Sequence, residues 1–403
     1  MQNENTKQLL RTCPICLNDK GEILHTQSFS LPKEHPLSNY YDIVACSRCG
    51  FVFADTSTHQ NGYNQYYKDF SKYEYSNMEG EGLKNDEERL KRTVDDISSV
   101  IKDKSSKILD IGCAEGDLLL ELKKRGYKNL KGLDPSESCV SHINNEHQID
   151  ANIGGLFNLT SLFSENAFDC VILTHVFEHI CDLSIAIQHI YFILKEGGIL
   201  YLEVPDASRY LEYYIVPFYY FDVEHINHFD EHSLTYLAST NGFESIILGK
   251  KEFNISERNI YPAVYGFFKK LNRKENFKEG YSNFECKTKI KKYIQKSEKY
   301  NIFPEIDDLA DSNEEIIVWG VGSYTNRLLE STKLGNCNIV AFVDSDSNKH
   351  GKKLKNVAVY SPSILKECGK LIVISSAIYS NDILKQIKKM DIQNNLIIIK
   401  GIL

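Results

Sequence analysis

The stretch KILDIGCAEGDLLLEL, residues 107–122, is the part of the sequence that indicates the fold most directly. Its first five residues are mostly apolar and predict a buried β-strand, and a glycine-containing turn then leads into a helix. Asp110 lies near the end of the strand, and Gly112, Cys113 and Gly116 lie in the turn. Glycines here let the backbone approach a ligand where a Cβ would clash. We therefore predict an α/β fold that opens on a nucleotide-binding βαβ unit.

A second acid ends the next apolar segment, LKGLDPS, residues 130–136. Asp134, followed by Pro135, lies roughly 20 residues after the first acid, at a spacing that lets a carboxylate accept both hydroxyls of a ribose. A pyrophosphate would be repelled by Asp110 and Glu115, whereas a ligand with a cationic end would be attracted. S-adenosylmethionine fits, because it carries a sulfonium, an ammonium group and a ribose.

These segments resemble motif I of the class I S-adenosylmethionine-dependent methyltransferases, whose usual form is D-x-G-x-G-x-G. Ala114 replaces the middle glycine. The resemblance implies a Rossmann-like core that binds S-adenosylmethionine through the two turns. The alternative is a structural turn in another doubly wound protein.

Composition limits the classes of protein that remain. With 403 residues the chain is expected to form two or three domains, and 42% hydrophobic and 25% charged residues are typical of a soluble protein. The formal net charge of −8 argues against a nucleic-acid partner. No apolar run has the length of a membrane span, and the N-terminus has no apolar signal core. We expect a cytoplasmic protein; the sequence leaves its oligomeric state open.

Changes in composition along the chain predict five segments. The third alternates apolar strands with amphipathic helices, which is the pattern of a parallel sheet, and the fifth repeats that pattern on a smaller scale. The predicted segments are a zinc-ribbon domain (1–55), a helical, tyrosine-rich arm (56–104), the S-adenosylmethionine-binding domain (105–250), a helical connector (251–313) and a smaller Rossmann-like α/β domain (314–403).

Four of the eleven cysteines form two C-x-x-C knuckles. They are Cys13 and Cys16, and Cys46 and Cys49. Two knuckles brought together supply four thiolates, which suits Zn²⁺, and a closed four-sulfur site is structural rather than catalytic. The alternatives are a redox pair or four unrelated buried cysteines.

The strand FDCVILTH (168–175) is followed by VFEHICDL, so a polar cluster stands where a strand's carboxyl end opens onto the ligand crevice. We assign Thr174 and His175 to the cofactor side and His179 to the substrate side. Glu178 lies between the two histidines in sequence. The alternative for both histidines is capping or packing.

The segment PFYYFDVEHINHFDEHSL, residues 217–234, holds three histidines among acids and aromatic residues. They are His225, His228 and His232. Neutral imidazole is the natural general base near pH 7, and Asp222, Glu224 or Asp230 could orient a ring. A zinc site and a packing loop with satisfied histidines are the rival interpretations.

This segment resembles the E-H-x-x-(Y/H)-F-(S/D) run of zinc-ribbon-bearing sugar-nucleotide C-methyltransferases, which methylate a carbon beside a keto group on a nucleotide-linked deoxysugar. The resemblance implies that Glu224 and His225 remove the α-proton and that His179 lies near the keto oxygen. A nucleotide-sugar would then be the partner. Asp222 stands where that family has a tyrosine, and this difference weakens the assignment of the family's residue roles to this chain.

The layout of ribbon, core and C-terminal α/β domain also matches this family. The C-terminal run WGVGSYTNRLLE, residues 319–330, imitates a dinucleotide fingerprint but has Thr325 in place of its third glycine. In the resembling family this domain helps to hold the sugar nucleotide. Two alternatives remain: an O- or N-methyltransferase acting on another glycan precursor, and a non-catalytic nucleotide-binding scaffold.

Overall fold

The computed structural model describes residues 6–69, 82–256, 259–272 and 282–399. Part of the predicted tyrosine-rich arm (70–81) and parts of the predicted connector (257–258 and 273–281) lie outside these ranges. Across the described residues, every helix is too short or too polar to cross a bilayer.

The N-terminal region is an antiparallel sheet followed by two helices. Its elements are β1 (Thr6–Gln8), β2 (Lys20–Ser28), β3 (Tyr40–Cys46), β4 (Val52–Asp55), α1 (Gln60–Asp69) and α2 (Gly82–Val100). Each strand pairs with the next one in sequence. The two cysteine knuckles lie in the turns after β1 and after β3, at one end of this sheet.

The central region alternates strands and helices, as the sequence predicts. Its elements are β5 (Lys107–Ile111), α3 (Asp117–Lys124), β6 (Asn129–Asp134), α4 (Glu137–His142), β7 (Asp150–Ile153), α5 (Leu159–Leu162), β8 (Phe168–Thr174), α6 (Leu183–Ile193), β9 (Leu194–Pro205), β10 (Asn227–His228), α7 (Glu231–Thr240), β11 (Phe243–Asn254) and β12 (Ile260–Lys270).

The central sheet has the strand order β11-β12-β9-β8-β5-β6-β7. Strands β5 to β9 are parallel, whereas β12 runs antiparallel to both of its neighbours. The chain builds outward from β5 to β7 and then returns to place β8 on the other side of β5. This reversal opens a crevice beyond the carboxyl ends of β5 and β8, where ligands of such sheets bind.

The structure differs from the predicted domain boundaries in three places. Strand β11 crosses residue 250, and β12 lies inside the predicted connector. Both strands belong to the central sheet, and the Lys and Glu residues of edge strand β11 conceal its pattern. Helix α2 of the predicted arm packs on this sheet through Val94 and Ile97, which contact the core around Ile108. Strand β10 pairs with β4 and joins the N-terminal sheet.

The C-terminal region forms a third sheet with flanking helices. Its elements are α8 (Glu285–Tyr300), α9 (Pro304–Ser312), β13 (Ile316–Trp319), α10 (Ser323–Ser331), β14 (Ile339–Val343), β15 (Lys353–Leu354), β16 (Val357–Tyr360), β17 (Leu371–Ile374), α11 (Ser380–Lys389) and β18 (Leu396–Ile398). The order is β15-β16-β14-β13-β17-β18, and all pairs except β15 with β16 are parallel.

Candidate active site

Three residues of the turn after β5 have left-handed backbone conformations. Gly112, Ala114 and Gly116 have φ values of +72°, +47° and +84°. A Cβ on Gly112 would lie 2.7 Å from Cγ2 of Val176, and one on Gly116 would lie 2.6 Å from Cγ1 of Ile143. The glycines are therefore required by their backbone conformation and by neighbouring side chains. This corrects the expectation that the space beside them is reserved for a ligand.

The two predicted acids lie at the carboxyl ends of β5 and β6, with different surroundings. Asp134 accepts hydrogen bonds from the N–H groups of Ala114 (2.8 Å) and Ser136 (2.9 Å), and it joins the first turn to the second. Asp110 is 2% exposed, and its Oδ1 has no hydrogen-bond partner among the described residues. Burial, reinforced by the charge of Asp134, raises the pKa of Asp110 to about 8. A buried carboxyl oxygen that no described residue satisfies fits the cationic end of S-adenosylmethionine.

The other predicted cofactor residues surround the same crevice. Cys113 is buried in the turn, and Thr174 ends β8 beside β5. His175 has a φ of +54°, and its ring lies between two buried carboxylates, at 3.1 Å from Glu178 Oε1 and 3.6 Å from Glu203 Oε1. Burial alone would lower the pKa of His175, but the two carboxylates outweigh it and raise the pKa to about 9.

The predicted catalytic histidines lie side by side. His179 is 6% exposed, and its ring centroid is 4.9 Å from that of His225. Nδ1 of His179 lies 2.9 Å from the carbonyl oxygen of Glu224. Because a carbonyl oxygen can only accept a hydrogen bond, Nδ1 carries a hydrogen and is the donor. Burial and the neighbouring His179 lower the pKa of His225 to about 4. His225 is therefore a neutral imidazole at physiological pH.

The carboxylate of Glu224 has a partner that the sequence did not predict. Tyr67 on α1 donates a hydrogen bond to Oε2 of Glu224 (2.9 Å), and its ring packs edge-on against His179 with centroids 5.4 Å apart. Glu224 therefore links His179 to α1, and it is the neighbour of His225 in sequence. The richness of the arm in tyrosine was the only sequence signal for this contact.

The remaining histidines of the segment lie elsewhere. His228, 1% exposed, faces Tyr210 at 3.3 Å, and burial lowers its pKa to about 3. His232 is exposed on α7. Only His225 of the three joins His179. The expectation that Asp230 orients a ring is also wrong, because Asp230 caps α7 through the N–H of Ser233.

The four cysteines of the two knuckles come together at one point. Their sulfur atoms all lie within 4.8 Å of one another, with 3.6 Å between Cys13 and Cys49 and 3.5 Å between Cys16 and Cys46. The N–H groups of Arg48 and Cys49 point at Sγ of Cys46. Four buried or half-buried sulfurs with amide donors fit a structural Zn²⁺ ion.

The C-terminal sheet repeats the geometry of the first turn. Asp344, just after β14, accepts the N–H of Val321 (2.7 Å), as Asp134 accepts that of Ala114. Nζ of Lys349 lies 3.1 Å from the same carboxylate oxygen. Asp344 therefore holds the turn after β13 in the way that Asp134 holds the turn after β5.

Comparison with known proteins matches two parts of the chain to described families. Residues 83–247 match the family model described as a methyltransferase domain, and residues 312–398 match the one described as C2185-like, N-terminal. The ubiquinone biosynthesis O-methyltransferase of Rattus norvegicus is 31% identical over 26% of this chain and 32% of its own length. The Homo sapiens protein of the same name is 25% identical over 48% of this chain and 53% of its own.

The chain therefore spans about a third to a half of these relatives. Among solved structures, a SAM-dependent methyltransferase from Methanosarcina mazei has 20% identity and a TM-score of 0.36, covering 42% of this chain and 95% of that one.

Proposed function

Because residues 83–247 form a class I S-adenosylmethionine-dependent methyltransferase domain, we propose that the protein methylates a carbon beside the keto group of a nucleotide-linked deoxysugar. The observation that supports this most is the imidazole pair of His179 and His225, 4.9 Å apart just beyond the carboxyl end of β8. A carbon acid needs both a base and a donor to the developing enolate oxygen.

The residues on the cofactor side have defined tasks in this proposal. Bound S-adenosylmethionine supplies a methyl group on a positively charged sulfur, which is ready for in-line displacement. Asp110 would hold the cationic end of the cofactor, and Asp134, held by two backbone N–H groups, would accept hydrogen bonds from its ribose. His175, held between Glu178 and Glu203, keeps the wall of the crevice in place.

On the acceptor side, a ring nitrogen of His225 takes the proton from the carbon beside the keto group. Its lowered pKa leaves that nitrogen unprotonated and ready for this step. The ring of His179 is oriented by the carbonyl of Glu224, so that Nε2 is the nitrogen available to the acceptor. Nε2 can donate to the enolate oxygen when the ring is protonated.

A second candidate is O-methylation, which the names of the rat and human relatives favour. In that case His225 would remove the proton of a hydroxyl group, and no enolate would form. The two candidates share every residue named above and differ in the methylated atom.

The test uses a panel of nucleoside-diphosphate keto-deoxysugars in deuterated water, with S-adenosylhomocysteine in place of the methyl donor. We expect solvent deuterium at the carbon beside the keto group. His225→Ala should lose exchange and lower methyl transfer by about 10²- to 10⁴-fold, the usual contribution of a general base. Its affinity for S-adenosylhomocysteine should stay within about twofold. His232→Ala, at an exposed histidine, is the matched control.

The product of the complete reaction is then analysed by mass spectrometry and NMR. A methyl group on carbon supports the proposal. A methyl group on oxygen or nitrogen, with no exchange at any carbon, would leave the methyltransferase domain as described and favour the second candidate.

A further inference from the structure

We propose that Glu178, His179 and His225 form a binding site for a divalent cation, separate from the four-cysteine site, and that a bound cation inhibits methyl transfer. The inhibition rests on the proposed function, because it requires His225 to act as the base. The cation is of the kind that imidazole and carboxylate ligands bind together, such as Zn²⁺, Co²⁺ or Mn²⁺.

The first argument is the convergence of three ligand atoms. One ligand atom from each residue lies within 4.8 Å of the other two, although His225 is 46 positions from its nearest partner in sequence. Bonds of about 2.1 Å at tetrahedral angles would place ligands of one ion about 3.4 Å apart. The ligand atoms must therefore approach one another by roughly 1 Å, and small changes in side-chain torsion angles can provide this movement.

The second argument is the orientation of the ligands. Nδ1 of His179 donates to the carbonyl oxygen of Glu224, so Nε2 carries the lone pair in the neutral ring and lies 3.9 Å from Oε1 of Glu178. Histidines that bind metals commonly donate their other N–H to a carbonyl or carboxylate in this way. The ring is thus already held in the tautomer that a cation requires.

The third argument is the state of Glu178. Its side chain is 1% exposed, and Oε2 has no hydrogen-bond partner among the described residues. Oε1 is held by Nδ1 of His175 at 3.1 Å, and the carbonyl oxygen of Glu178 accepts the N–H of Ile226, next to His225. A buried carboxylate oxygen without a partner is costly, and a cation would satisfy it.

A bound cation and the proposed base reaction exclude each other. A nitrogen lone pair of His225 that binds a cation cannot accept a proton. In the same way, Nε2 of His179 cannot donate to an enolate oxygen while it binds a cation. Three protein ligands would leave open positions on the ion, as in sites that bind water or substrate oxygens. We therefore expect the cation to compete with catalysis rather than to stabilise the fold.

The experiment titrates Co²⁺ into the complete protein with zinc already in the four-cysteine site. We expect one Co²⁺ per chain with weak visible bands and without the intense thiolate charge-transfer band of a sulfur site. His225→Ala and Glu178→Gln should each weaken Co²⁺ binding by at least about tenfold, in line with the loss of one ligand. His232→Ala should bind as the unaltered protein does, and circular dichroism verifies the fold of each variant.

Equal Co²⁺ binding in all variants, or no binding beyond the zinc already present, would overturn the site. Methyl transfer should fall as Co²⁺ saturates the site and should recover after brief treatment with a weak chelator. Binding without inhibition would overturn the inhibitory role and, with it, His225 as base. If Co²⁺ binds at these residues but the protein methylates none of the acceptors, the result would support the cation site and contradict the proposed function.

Discussion

At the scale of single residues, the crevice contains two acids, Asp110 and Asp134, whose carboxyl groups are held differently. The carboxyl of Asp134 is held by two backbone N–H groups, whereas Oδ1 of Asp110 has no hydrogen-bond partner in the part of the chain that the structure describes. The ordinary pKa of 3.8 rises to about 8 because of burial and the nearby charge of Asp134. The unliganded fold therefore contains a protonated acid that a cationic ligand would ionise.

Asp110→Asn tests this property through stability. Between about pH 4 and 8 the folded protein keeps a proton that the unfolded chain has lost, so the free energy of unfolding falls as pH rises. The variant has no such proton. We expect its stability relative to the unaltered protein to increase with pH across this window, as measured by urea unfolding in the absence of ligand. Its affinity for S-adenosylhomocysteine should nevertheless decrease.

Asp308→Asn, at an exposed acid on α9, is the control and should change neither property. Calorimetry adds a second readout, because binding to the unaltered protein near pH 7 should release a proton from Asp110. A parallel pH profile for Asp110→Asn and the unaltered protein would contradict the raised pKa.

At the scale of elements, the N-terminal sheet is joined to the segment that carries His225 through a short strand. Strand β10 begins two residues after His225 and pairs with β4, as Asn227 with Phe53. Arg11, between the first knuckle and β1, donates to Oδ1 of Asn227 and to the carbonyl oxygens of Ile180 and Cys181. The region of the cysteine site is thus connected by hydrogen bonds to both segments that carry the proposed catalytic histidines, His179 and His225.

Cys46→Ser should therefore affect catalysis as well as metal content. We expect loss of about one zinc per chain, faster hydrogen exchange in residues 40–55 and 225–230, and slower methyl transfer. Affinity for S-adenosylhomocysteine should change little, because the turns after β5 and β6 lie in the central sheet. Cys170→Ser, at a buried cysteine of the core, is the control for loss of a thiol. Unchanged exchange in residues 225–230 would contradict the coupling.

At the scale of the whole molecule, residues of the segment that carries His225 pack against all three sheets. Ile215 and Val216, just before it, pack into the C-terminal core. The guanidinium of Arg327 on α10, 4% exposed, donates to the carbonyl oxygen of Phe221 at 3.3 Å. The C-terminal domain therefore contacts the segment that carries His225, and we expect it to support binding of the methyl acceptor.

Arg327→Leu should separate this support from the cofactor side. Loss of a hydrogen bond from a buried charged group should lower the free energy of unfolding by about 1.5–3 kcal/mol. We expect a higher KM for the acceptor with little change in affinity for S-adenosylhomocysteine, as measured by steady-state kinetics and calorimetry. Lys352→Leu, at an exposed cation of the same domain, is the control. Equal effects on the two ligands would indicate a general loss of stability.

The sequence by itself determined the features that arise within short stretches of chain. A strand, a turn and a helix follow one another directly at residues 107–124, so backbone propensities and glycine positions suffice to predict the unit. Comparison with known families confirms the methyltransferase domain that this motif predicts. The cysteine spacing likewise predicts a four-sulfur cluster, and the sulfurs do lie together.

Only the tertiary structure decided which distant residues meet. The contact of Glu178 and His179 with His225, the hydrogen bond from Tyr67 to Glu224, and the pairing of β10 with β4 depend on how whole sheets pack. Such contacts leave no local pattern, because burial and long-range packing select them after the elements have formed. For the same reason the sequence placed the end of the central domain at residue 250, whereas its sheet continues through β12.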